Sequence, residues 1–397
     1  MDHGSDEPAR PSLHGVVTAR AGARRQRTTG PAVALARLLF VALVALPLIA
    51  AILGGLLRAG LIVPATAGAA WLPRAGLWHA ALMICAFFGT VIAIERAVAV
   101  KLRAGYAAPL ASSLAGICVL LDQTRLGSWL FVAAGLVFTW INVVVVRRQP
   151  APHTRLLLVA AAAWLVGNVL FALGEGSSAV LPWWFGFLVM TIAAERLEMT
   201  RLMRRRPAAP WLLLGILAAM VAGASWSWAS ARGGGALFGA SLVLLAWWLV
   251  SYDIARRTVA AAGLSRYMAL CLLTGYVWLA IGGVAWIATA LGHPWRDAAL
   301  HALGLGFIFS MIMGHAPVIL PAIAGVKLRF GWPFYVPLVA LHLSLLVRLL
   351  WGGFEPAQRA LGAALNAASI VLFAATMVGA AIAWRMLDRV PRTVKES

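Results

Sequence analysis

Charge is what this sequence most lacks. Only 12% of its 397 residues are Asp, Glu, Lys or Arg, against about 25% in soluble globular domains. Acidic side chains are scarcest, with 13 Asp and Glu against 33 Lys and Arg. Cysteine is nearly absent as well. Cys85, Cys118 and Cys271 each fall inside an apolar run, and no CxxC or CxxCH occurs, which excludes a zinc ribbon and a covalently attached c-type haem. There is no Walker A loop, no GxGxxG ahead of a helix and no HExxH, so the usual phosphate-binding and zincin signatures are missing. What fills the space is apolar: 62% hydrophobic residues and a mean hydropathy of +0.88. The composition predicts an all-α polytopic membrane protein.

Apolar runs long enough to cross a bilayer recur along the chain. They predict twelve helices, near 38–57, 77–98, 105–121, 126–146, 156–174, 180–200, 210–230, 235–252, 267–290, 298–321, 333–351 and 361–384. Turn signals such as Arg147-Arg148-Gln149-Pro150, Gly292-His293-Pro294 and Gly352-Gly353 separate them. The first run is about 20 residues, longer than the core of a signal peptide, and reads as a retained first helix. The expected organisation is a disordered basic tail over 1–30, a single transmembrane domain over 31–386 and a C-terminal tail over 387–397.

Charge tests the count. If both termini are cytoplasmic, alternate connections should be basic. Of the 33 Lys and Arg, 26 fall on the expected inner side; Arg58, Arg74, Arg125, Arg232, Arg296, Arg348 and Arg359 fall on the outer side. The net charge of +20 is therefore a topology signal facing anionic lipid rather than a nucleic-acid footprint. Trp71, Trp78, Trp129, Trp183, Trp184, Trp295 and Trp351 gather near the outer ends, as an aromatic belt does.

A repeat follows. Residues 87–96 read FFGTVIAIER and residues 187–196 read FLVMTIAAER, so Phe87, Ile92, Ala93, Glu95 and Arg96 recur as Phe187, Ile192, Ala193, Glu195 and Arg196. The two helices are four apart. The next in the series is the tenth, whose LHALGLGFIFSM aligns with WHAALMICAFFG of the second and sets His301 opposite His79. Three pseudo-repeated four-helix arcs are the expectation.

The stretch Asp297 to Pro321 carries two intramembrane histidines, His301 and His315, and ionisable residues there are costly and usually functional. On one ideal helix their spacing gives about 21 Å of rise and rings within roughly 40° of a common face. His79 and His301 both open their helices on the outer side. Two imidazoles at equal depth across a bundle core are what a bis-histidine haem needs, and Arg74 and Arg296 are placed to meet its propionates. Two interfacial histidines bonding water or headgroups, or one metal ion bridging the rings, are the alternatives. His315 lies deeper, in Gly314-His315-Ala316-Pro317, where the proline is expected to kink or break the helix beside a cavity; a metal, proton or substrate site competes there with a simple cap on freed carbonyls. His342 is a candidate partner. Glu95-Arg96 and Glu195-Arg196 read either as boundary ion pairs with snorkelling arginines or, with His315, as a proton or ion site. Glu95 stands about 160° round an ideal helix from His79, so sharing a space with it requires a distorted helix near Gly89. His3, His14, His153 and His293 have no partner at metal-ligand spacing.

Trp78-His79-Ala80 with Met83, and His301-Ala302-Leu303 with Gly306 and Met311, resemble the two histidine signatures of the NnrS family. Those are twelve-helix bacterial inner-membrane proteins that bind haem and copper and are linked to nitric oxide stress. Ala81 and Leu82 stand where that family has a second histidine and the start of a Glu-Met pair. The helix count is also similar to the catalytic subunit of haem-copper oxidases and nitric oxide reductases, which holds a low-spin haem between histidines of helices two and ten; its copper ligands on helices six and seven have no counterpart here. These resemblances imply haem b on His79 and His301, copper as a second cofactor, a redox partner protein, and an inner-membrane location with both termini inside. The competing expectations are a proton-coupled transporter built on a broken tenth helix, and a cofactor-free assembly factor.

Overall fold

A computed structural model describes residues 31–62, 69–199 and 208–388. The tail over 1–30, with His3 and His14, and residues 389–397 lie outside them, as do the expectations for those tails. Residues 31–42 are helical and form a unit by themselves; the body begins at Leu43.

Twelve helices are long and apolar enough to cross a membrane: α1 (Val41–Arg58), α2 (His79–Val100), α3 (Arg103–Leu120), α4 (Thr124–Arg148), α5 (Pro152–Ala172), α6 (Ser177–Met199), α7 (Ala209–Ala229), α8 (Ala231–Tyr252), α9 (Gly263–Ala290), α10 (Arg296–Pro321), α11 (Trp332–Trp351) and α12 (Pro356–Met386). Among the described residues there are no strands. The protein is a multi-pass all-α membrane protein. Each span matches a predicted run, because with no water to satisfy backbone groups an apolar stretch of this length must close its hydrogen bonds within a helix.

Successive helices pack side by side from α3 to α10, and α11 pairs with α12. Helix α6 also touches α2 and α10. Its central position shows in its burial: 78% of its most apolar stretch is enclosed by protein, against 22% for α1 and α12. The remaining faces carry exposed Leu, Val, Ile and Trp side chains as lipid contacts.

Polar side chains stitch the core. The Asn168 amide on α5 donates to the Phe131 carbonyl on α4 at 2.8 Å, and its oxygen accepts from Trp184 on α6 at 3.0 Å and from the Cys85 thiol on α2 at 3.3 Å. Bonds of this kind are worth about 0.6–2 kcal/mol each in a membrane core. Small residues set the closest crossings. A Cβ at Gly239 would stand 2.7 Å from the Gly283 carbonyl oxygen, and one at Gly283 equally close to that of Gly239.

Three segments within the spans are underwound. Residues Leu82–Gly89 of α2, Ala302–Phe309 of α10 and Val347–Trp351 of α11 form π-helix. Bonding i to i+5 underwinds a helix, and over eight residues the lag amounts to roughly one residue, about 100°. In α2 this cuts the His79–Glu95 offset from about 160° to about 60°. The distortion expected near Gly89 is present and ends on that glycine. In α10 the same lag widens the His301–His315 offset from about 40° to about 140°, so the common-face expectation for that pair does not hold. The expected break at Pro317 is absent too. The helix runs from Ser310 through Pro317 and Pro321 to Ala324 and ends on Gly325 at φ 65°.

Gly283→Val and Gly239→Val should each lower thermal stability in detergent, by about 1–3 kcal/mol. Gly215→Ala, whose Cβ meets open space, should leave the melting temperature unchanged.

Candidate functional site

The histidine pair forms. His79 on α2 and His301 on α10 lie with ring centroids 6.4 Å apart and planes within 23°. His79 Nδ1 is 2.7 Å from the Ala51 carbonyl on α1. His301 Nδ1 is 2.9 Å from its own helix's Asp297 carbonyl and 3.1 Å from the Asp297 carboxylate. Carbonyl oxygens only accept, so each neutral ring carries its proton on Nδ1 and keeps the Nε2 lone pair. Fixing the tautomer through Nδ1 is how metal-ligating histidines are oriented.

The Asp297 carboxylate is itself held. Arg348, inside the π turn of α11, donates to it twice, from Nε at 2.9 Å and from Nη2 at 2.8 Å. This bidentate pair makes a relay Arg348–Asp297–His301. Arg348 appears in the sequence only as an outer-side cation, and nothing in its neighbourhood signals the contact. The Asp297/His301 spacing of four residues was a legible sign that the two share a helix face.

The pair divides two spaces. On one side lies an apolar chamber of about 840 Å³, its opening included, walled by Leu56, Met83, Phe88, Phe185, Leu305 and Ile370 among others. On the other is a mouth of about 1420 Å³, open solvent included, that takes in Arg58, Arg296, Arg348 and Arg359, with Glu175 and Asp297 as its acids among the described residues. Of the two arginines expected there, Arg296 is present. Arg74 instead pairs with Asp122 at 3.1 Å, because the short helix Trp71–Leu77 that carries it directs it to the α3–α4 turn. Two glycines shape the space. A Cβ on Gly55 would come within 2.8 Å of the His79 ring, while one on Gly304, which lines the chamber, would meet nothing within 4 Å.

At the opposite end, Glu95, Arg96, Glu195, Arg196 and His315 line one cleft of about 1160 Å³ with Arg148, His153 and Glu198. The repeat thus brings its acidic and basic residues together with His315. The pairing differs from simple boundary ion pairs. Arg196 is 5% exposed and its Nη2 lies 2.9 Å from His315 Nε2; it does not snorkel. His315 Nδ1 lies 2.6 Å from the Met311 carbonyl. With a guanidinium on Nε2 and a carbonyl on Nδ1, the ring has no nitrogen left for a metal. His342 is elsewhere, its Nδ1 accepting from Trp278 Nε1 at 2.9 Å. Among the described residues no three His, Cys, Asp or Glu come together as a metal cage. His153 lies 3.7 Å from Glu198.

Sequence reasoning passed over Asp253. It follows α8, is 2% exposed, and accepts from the Ala255 amide at 2.7 Å; its second oxygen, with Tyr276 nearby, makes no hydrogen bond among the described residues. Burial pushes its carboxyl above the ordinary range, partly offset by that amide and by Arg196.

The fold and this site define a polytopic membrane protein with an oriented histidine pair at one end of its bundle and a cluster of ionisable residues at the other. The chain matches over residues 37–382 a family described as a domain of unknown function, DUF8744, and belongs to it. No curated protein and no solved structure matches it.

Two substitutions test these electrostatics. Arg348→Met should destabilise the protein by about 2 kcal/mol, since a charged hydrogen-bond donor is removed from a partly buried carboxylate. Adding Asp297→Asn should restore part of that loss in thermal melts. For Asp253, a carboxyl whose pKa is raised by folding favours the folded state at low pH, and that contribution is lost as pH rises through the folded value. Asp253→Asn, which keeps the acceptor for Ala255, should therefore raise the melting temperature at neutral pH and leave it unchanged at acid pH.

Proposed function

We propose that this protein is a haem-binding membrane protein of nitric oxide response or electron-transfer metabolism, with b-type haem held between His79 and His301. The observation that carries the reading is the histidine pair itself. Two imidazoles sharing one metal at about 2 Å would have centroids roughly 6 Å apart, and here they are 6.4 Å apart with both Nδ1 atoms engaged. The surroundings fit such a group. The chamber suits an apolar macrocycle edge, the open space at Gly304 leaves it room, and the arginine mouth suits its carboxylates. The resemblance to the NnrS signatures supports the same choice.

His79 and His301 would hold the haem, which would supply a one-electron couple. The protein's own residues orient the rings, and the Asp297 carboxylate beside His301 makes that imidazole the more strongly donating of the two. Arg58, Arg296 and Arg359 neutralise anionic substituents at the mouth. A redox partner protein would approach at that mouth, and copper is the alternative metal for the pair. The positive-charge pattern supports a bacterial-type inner membrane with both termini inside.

A second reading, a proton-coupled carrier, draws on the ionisable cleft at the opposite end; the unbroken α10 removes one of its original supports.

An absorbance spectrum of the purified, haem-reconstituted protein decides between them. The haem reading expects a Soret band, lost in His79→Ala and in His301→Ala, and weakened in Gly304→Leu, which fills the chamber. A wild-type protein without the band, or variants with unchanged spectra, would sink it.

A further inference from the structure

We infer that the cleft between α2, α6 and α10 is a proton-binding site, in which a proton taken onto His315 Nε2 releases Arg196 to the carboxylates of Glu95 and Glu195. The inference stands apart from the haem reading, since it concerns the other end of the bundle.

The argument rests on which atoms can donate. The Met311 carbonyl, 2.6 Å from His315 Nδ1, only accepts, so Nδ1 carries a hydrogen. In the neutral ring Nε2 then has a lone pair and accepts from Arg196 Nη2 at 2.9 Å. A guanidinium has no lone pair to offer in return. A proton arriving at Nε2 therefore sets N–H against N–H and two positive charges against each other at that distance. The α6–α10 contact made by this bond cannot survive in the charged state.

Acceptors for the freed guanidinium are already in place. Glu95 and Glu195 line the same cleft, and among the described residues neither is within ion-pairing distance of a cation. Glu95 is within electrostatic reach of Glu195, Arg96 and His315. Among the described residues Arg196 Nε has no hydrogen-bond partner, although the residue is 5% exposed. Burying a donor without a partner costs about 1–3 kcal/mol, which favours an alternative position for this side chain.

Among the described residues, other charged and titratable groups stand around the ring. Asp253, beyond α8, interacts with Arg196 and His315, and among the described residues one of its oxygens makes no hydrogen bond. Tyr276 of α9 stands beside Asp253. Arg96 of α2 interacts with both glutamates. Arg148 of α4 donates to the Val100 carbonyl at 3.0 Å, and Glu198 of α6 faces His153 of α5. Arg148 and Glu198 are exposed, so the cleft opens to solvent on that side and a proton can reach it. The step balances simply: one proton leaves water and binds Nε2, and one hydrogen bond is exchanged for an ion pair.

Full-length protein in lipid nanodiscs, labelled with ¹⁵N-histidine, tests this between about pH 8 and pH 5, where imidazoles ordinarily titrate. The His315 signals are identified by their loss in His315→Gln or His315→Asn. Their unprotonated-nitrogen resonance should disappear as pH falls. Over the same range, the infrared difference spectrum should contain carboxylate bands that are lost in Glu95→Gln/Glu195→Gln. Both results should persist in His79→Ala/His301→Ala, which separates this site from the haem reading. A His315 resonance unchanged across the range, or an infrared spectrum unaffected by the double Gln substitution, would overturn the proposal.

Discussion

Helix α10 has to serve two neighbours. At one end it presents His301 to His79 of α2; fourteen residues on it presents His315 to Arg196 of α6. An ideal α-helix would point both rings roughly the same way. The π segment Ala302–Phe309, placed between them, supplies the missing rotation. Helix α2 solves the opposite problem with the same device. Its π segment Leu82–Gly89 brings Glu95 back toward the side that carries His79, so that one helix meets the histidine pair and the ionisable cleft. The underwound turns fix which side chains share a space, and the rest of the site depends on that choice. The glycines follow from it: Gly89, where the first π segment ends, admits the Trp164 ring against its Cα, and Gly306 admits Trp278.

The two ends differ in how their charges are arranged. At the histidine-pair end the groups beside the two rings are matched. Arg348 is spent on Asp297, Asp297 on His301, and His79 on a backbone carbonyl, which leaves two lone pairs and an arginine-rich rim. That rigidity suits a site holding a fixed geometry. At the other end the matching is incomplete. Among the described residues Glu95 and Glu195 make no ion pair, and Arg196 directs part of its guanidinium to a neutral ring. Buried groups held this way have more than one satisfactory arrangement, and a single proton is enough to choose between them.

How much of this could be read in advance follows from what each feature depends on. The twelve spans depend on apolar run length, which the sequence carries openly, and the recurrence of IAxER in α2 and α6 was enough to bring Glu95 and Glu195 to one cleft. The pairing of His79 with His301 was legible for the same reason, through equal depth on corresponding helices. The π segments were not, because their hydrogen-bond register depends on neighbours packed across the bundle; only the angular conflict between His79 and Glu95 hinted at one. Arg348 was hidden for a similar reason. It sits on α11, fifty-one residues from Asp297, and its charge counted equally well as a loop cation. Pro317 misled in the other direction. A proline inside a helix frees one carbonyl, but packing against neighbouring helices tolerates that in a membrane, and α10 continues.

The size of the ligand set bears on what the histidine pair holds. A bare zinc or copper ion takes three or four protein ligands in most sites. Beside His301 stands Asp297, and its carboxylate is turned to Arg348 and to the Nδ1 side of His301, away from the lone pairs. Among the described residues no third His, Cys, Asp or Glu completes a cage for a free ion there. Two histidines suffice for a metal that arrives with its equatorial donors already in place. The spaces on either side differ as the two edges of such a group differ, one apolar and one lined by arginine. On the proposal made for this site, a small ion would use neither space, whereas an amphiphilic macrocycle would use both.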